Sequence, residues 1–406
     1  MTDSPRPLRV AMIGAGFMGA AHSQGWRVAP RFFELGANPE MALLVGRDQA
    51  RTEDAARKWG WAETSTDWRE AIARDDIDVV DIVTPGDSHA EIAIAALDAG
   101  KHVLCEKPLA NTVAEAKEMA AAAERAAARG VFAMVGFTYR RVPAATLARD
   151  MVAAGRVGQV RQVRAAYLQD WLADENSPLS WRLQKDRAGS GALGDIGAHA
   201  VDLAQFITGV DLTSVSGTME TIVAERPLAA ESTGLSGTAA EGRGAVTVDD
   251  LALFTGRFGE PGAGFLGSFE ATRFSTGRKN ALRIEISGSR GAISFDLERM
   301  NELQFFDATA PAAEQGFTTI LVTEPEHPYI SAWWPAGHML GYEHGFSHQA
   351  RDFVEAVAAG TQPTPSFADG LAVQQVLAAV EGSAGNGSAW TAVESITLSR
   401  TNNGGI

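Results

Sequence analysis

Along the first 140 residues, short apolar blocks alternate with longer amphipathic stretches. Leu8–Ile13 predicts a strand, and Gly14-Ala15-Gly16-Phe17-Met18-Gly19 follows it directly and opens a helical stretch to about Val28. Met41–Val45 predicts a second strand, and Asp48–Gly60 a helix with a glycine stop. Val79–Val83 is almost wholly β-branched, as a strand buried on both faces requires. Glu91–Ala99 then reads as helix, His102–Cys105 as strand, Val113–Ala128 as a long helix ended by Gly130, and Val131–Val135 as strand. Strands alternating with helices of this length imply βαβ units on a parallel sheet.

Beyond Gly136 the pattern changes. Pro143–Ala154 and Ile196–Thr208 predict helices, after which strands follow one another: Ser214–Val223, Asp250–Phe258, Gly264–Thr272, Leu282–Gly288, Ala292–Asp296 and Glu302–Phe306. Arg290-Gly291 offers turn chemistry between two of them. The small, polar stretch Ala229–Gly244 reads as a surface excursion, either simply mobile or serving as a lid or subunit-contact arm. Late helices are expected at Phe346–Ala359 and Phe367–Ser383. The expected division is residues 1–140 and 141–406, with the late helices free to pack back on the first domain.

Composition narrows the class. The chain has 406 residues, 45% hydrophobic and 21% charged, enough apolar surface to offset the entropy of ordering. Thirty-five basic against 50 acidic residues leave a net charge of −15, the wrong sign for tracking phosphates, so no nucleic-acid partner is expected. One cysteine, Cys105, excludes a disulfide framework and any zinc site built from several thiolates, and it suits a reducing compartment. No apolar run is long enough to span a membrane, and the start carries no signal-peptide pattern. A cytoplasmic protein is expected. His344 and His348 share a helical face, but no carboxylate pattern completes a site, so no metal is expected.

The candidate chemistry begins at Gly14-x-Gly16-x-x-Gly19. Between a strand and a helix, the first glycine allows a tight turn and the second lets backbone approach a pyrophosphate. The third lets helix and strand pack closely. An NAD site usually places an acid at the end of the second strand, where this chain reads Leu44-Val45-Gly46-Arg47-Asp48. Gly46 leaves room for a 2′-phosphate and Arg47 would pair with it, a lean towards NADP. Asp48 replacing the acid after a small shift, and Arg47 covering the adenine, stay open.

Lys107, in Cys105-Glu106-Lys107-Pro108, falls at the carboxyl end of the fourth strand, where open α/β sheets place ligands. In Gly189-Ser-Gly191-Ala-Leu-Gly194-Asp195-Ile-Gly197-Ala-His199, Asp195 and His199 are four apart and share a face if helical. Acid/base chemistry and ordinary capping and packing both fit that pair.

The glycine loop, Thr84-Pro85 with His89, Glu106-Lys107-Pro108 and Gly194-Asp195-x-x-x-His199, in that order, resemble the Gfo/Idh/MocA oxidoreductases, the family of glucose–fructose oxidoreductase and inositol dehydrogenase. The resemblance implies an α/β protein: a Rossmann domain, then a C-terminal α/β domain with an open, mostly antiparallel sheet. It implies hydride transfer between NAD(P)(H) and a secondary alcohol of a sugar, cyclitol or related ring, in a homodimer or homotetramer. Lys107, Asp195 and His199 match the family's catalytic positions: His199 as base, Lys107 as donor to the substrate oxygen, Asp195 holding a neighbouring hydroxyl. Gly14, Gly16, Phe17, Met18, Gly19, Thr84, Pro85, His89 and Glu106 match positions around the dinucleotide, with Arg47 beside them, and Trp181-Arg182 matches a pair near the nicotinamide in some members.

The stretch from Tyr167 to Lys185 most resembles the levoglucosan dehydrogenase-like branch, whose members oxidise the 3-hydroxyl of a glucose-type ring. Tyr139, Arg140, Gln169, Asp170, Trp171 and Lys185 are therefore expected in the substrate pocket, where aromatic faces and polar donors suit a sugar. An inositol dehydrogenase is one alternative, and a non-catalytic dinucleotide sensor another. A short-chain dehydrogenase needs Tyr-x-x-x-Lys, which none of the four tyrosines supplies.

Overall fold

The computed structural model describes residues 7–233, 236–260 and 262–395, which divide into two units. The first comprises residues 7–138 and 342–372, the second 139–341 and 373–395.

In the first unit, strands β1 (Leu8–Ile13), β2 (Pro39–Val45), β3 (Glu63–Ser65), β4 (Val79–Ile82), β5 (His102–Cys105) and β6 (Ala133–Val135) form one sheet, ordered β3-β2-β1-β4-β5-β6. Every pairing in it is parallel. Helices α1 (Phe17–Phe32), α2 (Gln49–Trp59), α3 (Trp68–Ala73), α4 (His89–Asp98) and α5 (Val113–Ala127) link the strands. Val10, Met12, Leu44, Val79 and Leu104 are buried with Trp26 of α1 and Phe353 of the Tyr342–Ala358 helix, so apolar side chains cover the sheet as a parallel sheet demands. Thr112 and Glu115 form a reciprocal capping box at the start of α5. The pair β3 and α3 escaped the sequence pattern because Glu63-Thr64-Ser65 carries no apolar block.

The order reverses direction between β1 and β4, the switch point at which open α/β sheets leave a crevice beyond their carboxyl ends. Ile13, Ile82 and Cys105 lie in register across β1, β4 and β5, so the segments that follow each strand emerge side by side.

The second unit holds β7 (Val160–Leu168), β8 (Leu212–Glu220), β9 (Glu225–Thr233), β10 (Ser236–Ala245), β11 (Leu251–Phe258), β12 (Phe265–Thr272), β13 (Ala281–Gly288), β14 (Gly291–Asp296), β15 (Glu302–Asp307), β16 (Phe317–Leu321) and the short β17 (Thr391–Ala392). Nine of them form a sheet ordered β16-β15-β14-β13-β7-β12-β11-β8-β17, antiparallel except where β12 runs parallel to β7. Helices α6 (Pro143–Ala153) and α7 (Ala198–Thr208) pack on one face. Alternate strand residues bury Val163, Ala165 and Tyr167 of β7 and Ile284 and Ile286 of β13.

The surface excursion Ala229–Gly244 is largely the antiparallel hairpin β9–β10; residues 234–235 lie outside those described. Two expectations need correction. Gly291 is a strand residue, where a Cβ would sit 2.6 Å from the Phe306 carbonyl oxygen, and the turn falls at Ser289-Arg290. The helix expected from Ile196 begins earlier, as a π-helical turn at Leu193–Gly197 that runs into α7.

Candidate active site

The loop after β1 is shaped by what its glycines meet. Gly14 sits at φ +125°, and a Cβ there would lie 2.8 Å from the Val83 carbonyl oxygen. A Cβ on Gly19 would lie 2.4 Å from the Gly14 carbonyl oxygen, so both glycines are required for close packing. Gly16, the N-cap of α1, has open space where a Cβ would be. Backbone is thus accessible at the N-terminus of a 16-residue helix, as pyrophosphate binding requires. Phe17 is half exposed and Met18 partly buried beside it.

At the end of β2, Arg47 is exposed and Asp48 caps α2, its carboxylate accepting from the Arg51 N–H at 2.9 Å. Gly46 leaves less room than expected: a Cβ there would lie 2.3 Å from Thr52 Oγ1.

After β4, Ser88 Oγ donates to Thr84 Oγ1 at 2.7 Å, in the turn led by Thr84-Pro85. His89, expected among the cofactor contacts, is buried. Its ring nitrogens lie 2.9 Å from the Thr84 carbonyl and 3.0 Å from the Pro108 carbonyl. It ties the β4 and β5 loops together through backbone.

After β5, Glu106 is buried and Lys107 half-buried. Glu106 Oε2 accepts from the Lys107 N–H at 3.2 Å, and Oε1 lies 3.0 Å from His22 Nε2. His22 Nδ1 lies 3.0 Å from both oxygens of Asp81, whose Oδ2 also accepts from Trp26 Nε1 at 2.7 Å. Burial alone would pull the His22 pKa down, but Asp81 and then Glu106 outweigh it and push it up to about 10. This cluster was missed in the sequence. Its only visible sign is a charged Asp81 within the apolar run Val79–Val83.

In the second unit, every residue from Gly191 to Gln205 is buried except Asp195 and His199, which are half-buried. The pair is therefore the accessible part of the otherwise buried stretch 191–205. Asp249 starts that helix, accepting from the N–H groups of Gly191 at 2.6 Å and Leu193 at 2.7 Å. A Cβ on Gly191 would meet the Asp249 carbonyl oxygen at 1.8 Å, which explains the glycine. The π turn carries Asp195, an irregularity frequent at functional sites.

Arg273, also missed, is fully buried. Its Nη1 lies 3.6 Å from Asp195 Oδ2, its Nη2 donates to the Asp249 carbonyl at 3.1 Å, and its guanidinium lies over the Trp171 ring. Arg182 stacks on Trp181 at 4.5 Å; burial, offset in part by Asp195 and reinforced by Arg273, lowers its pKa. The Trp181-Arg182 pair thus belongs with Asp195 in this unit.

The Tyr139 and Tyr167 rings pack on His199 at 4.5 and 5.8 Å, and their hydroxyls are 2.8 Å apart. Gln169 donates to Asn280 at 2.9 Å and accepts from Trp171 Nε1 at 3.0 Å. Three residues expected to face substrate have protein partners of their own. Arg140 is buried in a forked ion pair with Asp202. Asp170 pairs with Lys279 at 2.7 Å and accepts from the Gly277 N–H, which together hold its carboxyl below the usual range. Lys185 is exposed and faces Glu381 at 3.6 Å. No group of His, Cys, Asp and Glu among the described residues is arranged to hold a metal ion, and no described helix is long and apolar enough to cross a membrane.

A glycine turn with an open helix start at the switch point of a parallel sheet defines the first unit as a Rossmann domain, and the class is a dinucleotide-dependent oxidoreductase. Residues 8–137 match the Gfo/Idh/MocA oxidoreductase family, NAD-binding Rossmann fold, and residues 146–294 match that family's C-terminal domain. The chain belongs to this family. Levoglucosan dehydrogenase of Pseudarthrobacter phenanthrenivorans is 42% identical over 395 residues, covering 96% of this chain and 99% of that protein. The crystal structure of an oxidoreductase domain protein from Kribbella flavida is 61% identical with a TM-score of 0.91, covering 96% of this chain and all of that one. Levoglucosan dehydrogenase in complex with NADH and levoglucosan matches with a TM-score of 0.89 at 42% identity and the same coverage.

Proposed function

We propose that this enzyme interconverts a secondary alcohol and a ketone on a polyhydroxylated ring: a sugar, anhydrosugar, glycoside or cyclitol, with a glucose-type anhydrosugar or glycoside as the first candidate. The observation that carries the proposal is the isolated accessibility of Asp195 and His199 on a helix buried at every neighbouring position. A carboxylate and an imidazole on one face, edged by aromatic rings, suit a ring with many hydroxyls. The 42% identity to a levoglucosan dehydrogenase over nearly the whole chain supports that substrate class.

The nicotinamide cofactor, when bound, accepts or returns a hydride at C4. The Gly14–Gly19 loop would hold its pyrophosphate through the open backbone at Gly16, with Phe17, Met18, Thr84, Pro85 and Glu106 around the dinucleotide. His199 takes the hydroxyl proton at an imidazole nitrogen during oxidation and returns it during reduction. Lys107 supplies positive charge to the substrate oxygen as it gains negative charge. Asp195, 3.6 Å from Arg273 Nη1, accepts from a neighbouring hydroxyl and orients the ring. The relative's complex with NADH supports NAD(H), while Gly46 and the exposed Arg47 leave a 2′-phosphate unopposed. Both dinucleotides are therefore proposed to bind, with Arg47 setting their ratio.

A homo-oligomer is proposed as well. The face of the nine-stranded sheet opposite α6 and α7 exposes Leu253 and Leu266, with a broad depression lined by Arg164, Thr255, Ser268 and Glu285. Light scattering on the purified chain tests it, and a monomer at all concentrations overturns it. A reducing, cytoplasmic setting fits Cys105, which is buried as a free thiol.

The functional test is a panel of anhydrosugars, glucosides and inositols, with NAD and NADP, followed by nicotinamide absorbance. Turnover of an anhydrosugar or glucoside is expected. Turnover of inositols alone moves the assignment to a cyclitol dehydrogenase, and cofactor binding with no turnover across the panel makes the protein a sensor.

A further inference from the structure

The first unit buries a charge cluster that the mechanism leaves unused. Asp81 is fully buried in the middle of β4 and His22 nearly so in α1, and neither reaches the surface. Burying a carboxylate is costly unless it is paired and hydrogen-bonded, so the arrangement has to be satisfied from within.

The hydrogen-bond geometry points to one protonation state for His22. Each ring nitrogen of His22 faces a carboxylate oxygen at 3.0 Å, Asp81 on one side and Glu106 on the other. A neutral imidazole donates from one nitrogen and would aim a lone pair at the second carboxylate, whereas an imidazolium donates to both. The other groups on these carboxylates are donors only: Trp26 Nε1 on Asp81 and the Lys107 N–H on Glu106. Of the surrounding groups, the Cys105 thiol is pushed up by burial and by Glu106 and Asp81, so it stays neutral, and the Phe346 ring lies 5.5 Å from the imidazole.

The space for Glu106 is built as well. A Cβ on Gly136 would lie 2.8 Å from Glu106 Oε1, so the glycine at the end of β6 clears the place where the carboxylate meets His22. Glu106 is thereby held at both oxygens, one by His22 and one by the backbone of Lys107.

We propose that His22, anchored by Asp81, is a positioning residue for the cofactor site: a permanent imidazolium that fixes the Glu106 carboxylate and, through it, the start of the loop carrying Lys107. The proposal rests on the assignment of Glu106 to the cofactor-binding set. His22 touches neither cofactor nor substrate; it acts through Glu106.

Two measurements on the full chain test it. Nitrogen-15 NMR of labelled histidine in the wild-type protein, with His22 assigned through its own backbone, should show both ring nitrogens protonated from mildly acidic to mildly alkaline pH. A neutral-imidazole pattern anywhere in that range overturns the proposal, and this measurement needs no variant to fold. The second is the dissociation constant of NADH, by tryptophan fluorescence, for His22→Gln, Glu106→Gln and the double variant. Each single change should weaken binding about tenfold, the scale of a charge-assisted hydrogen bond, and the double variant should be no weaker than Glu106→Gln alone. Additive losses would mean that His22 acts through the fold at large and overturn the positioning role, as would unchanged binding in His22→Gln beside weakened Glu106→Gln. Unchanged binding in Glu106→Gln instead removes Glu106 from the cofactor set and the proposal falls at that step, while the NMR result still stands or falls by itself.

Discussion

Tyr167 donates its hydroxyl hydrogen to Asn280 Oδ1 at 2.6 Å, and that contact gives direction to the hydrogen bonds beside His199. The direction follows from Trp171, whose indole N–H only donates. The atom of Gln169 facing it is therefore Oε1, so Gln169 Nε2 donates to Asn280, whose facing atom is Oδ1. Tyr167 must then donate to that same oxygen, which leaves Tyr139 to donate to Tyr167. The two tyrosine rings that pack on His199 are locked by a chain that ends at a tryptophan on the next loop.

Tyr167→Phe removes both an acceptor and a donor from this chain. Asn280 keeps Gln169, and losing the Tyr139–Tyr167 and Tyr167–Asn280 hydrogen bonds costs about 1–3 kcal/mol. A melting temperature lowered by a few degrees is expected, with a fall in kcat because the Tyr139 ring is no longer held against His199. Thermal unfolding and steady-state kinetics check both. Unchanged values of each would mean that the chain orders nothing at the site.

For His199→Asn, alcohol oxidation should lose about two to four orders of magnitude in kcat, the usual contribution of a positioned base. Wild-type oxidation should rise with pH as the imidazole becomes able to accept the proton. The residual activity of the variant should lose that limb, with KM changed less than kcat. An active variant with the wild-type pH profile would pass the proton to another group, and Lys107 would be the first to examine.

The alternating half of the fold was legible because β1 and β5 are compact apolar blocks and α2 and α5 carry their own caps and stops. The glycine loop was legible because its sterics are local: Gly14 meets Val83 and Gly19 meets Gly14. Arg273 was not, since it owes its place near Asp195 to a neighbour 78 positions away in sequence that no pattern announces. His22 was hidden for the same reason, lying 59 positions from Asp81 and 84 from Glu106. The partners Asp202 of Arg140 and Lys279 of Asp170 were not legible, because a charged residue within a motif reads the same whether it meets a ligand or a distant side chain.

Lys107→Met keeps the length of the side chain and deletes its charge. If the ammonium acts mainly as charge gathers on the substrate oxygen, kcat should fall by about two to three orders of magnitude. The dissociation constant of NADH should stay close to that of wild type. Kinetics together with fluorescence titration separate the two, and retention of most of kcat would remove Lys107 from the chemistry.

The choice between NAD and NADP is tested best at Arg47. Placing an acid at Gly46 looks like the direct experiment, but a Cβ there collides with Thr52 Oγ1, which donates to the Asp48 carbonyl at 2.7 Å in the first turn of α2. A Gly46→Asp variant would disturb that turn and the added charge together. Arg47 is exposed, so Arg47→Ala removes a charge and leaves the turn intact. If the guanidinium pairs with a 2′-phosphate, kcat/KM for NADP should fall about fivefold, the upper end of what an exposed ion pair contributes, and the loss should shrink as salt is added. The value for NAD, which lacks that phosphate, should stay nearly constant. A parallel loss for both cofactors would instead place Arg47 over the adenine, which the two share, and the selectivity would then have to come from elsewhere on the β2–α2 turn.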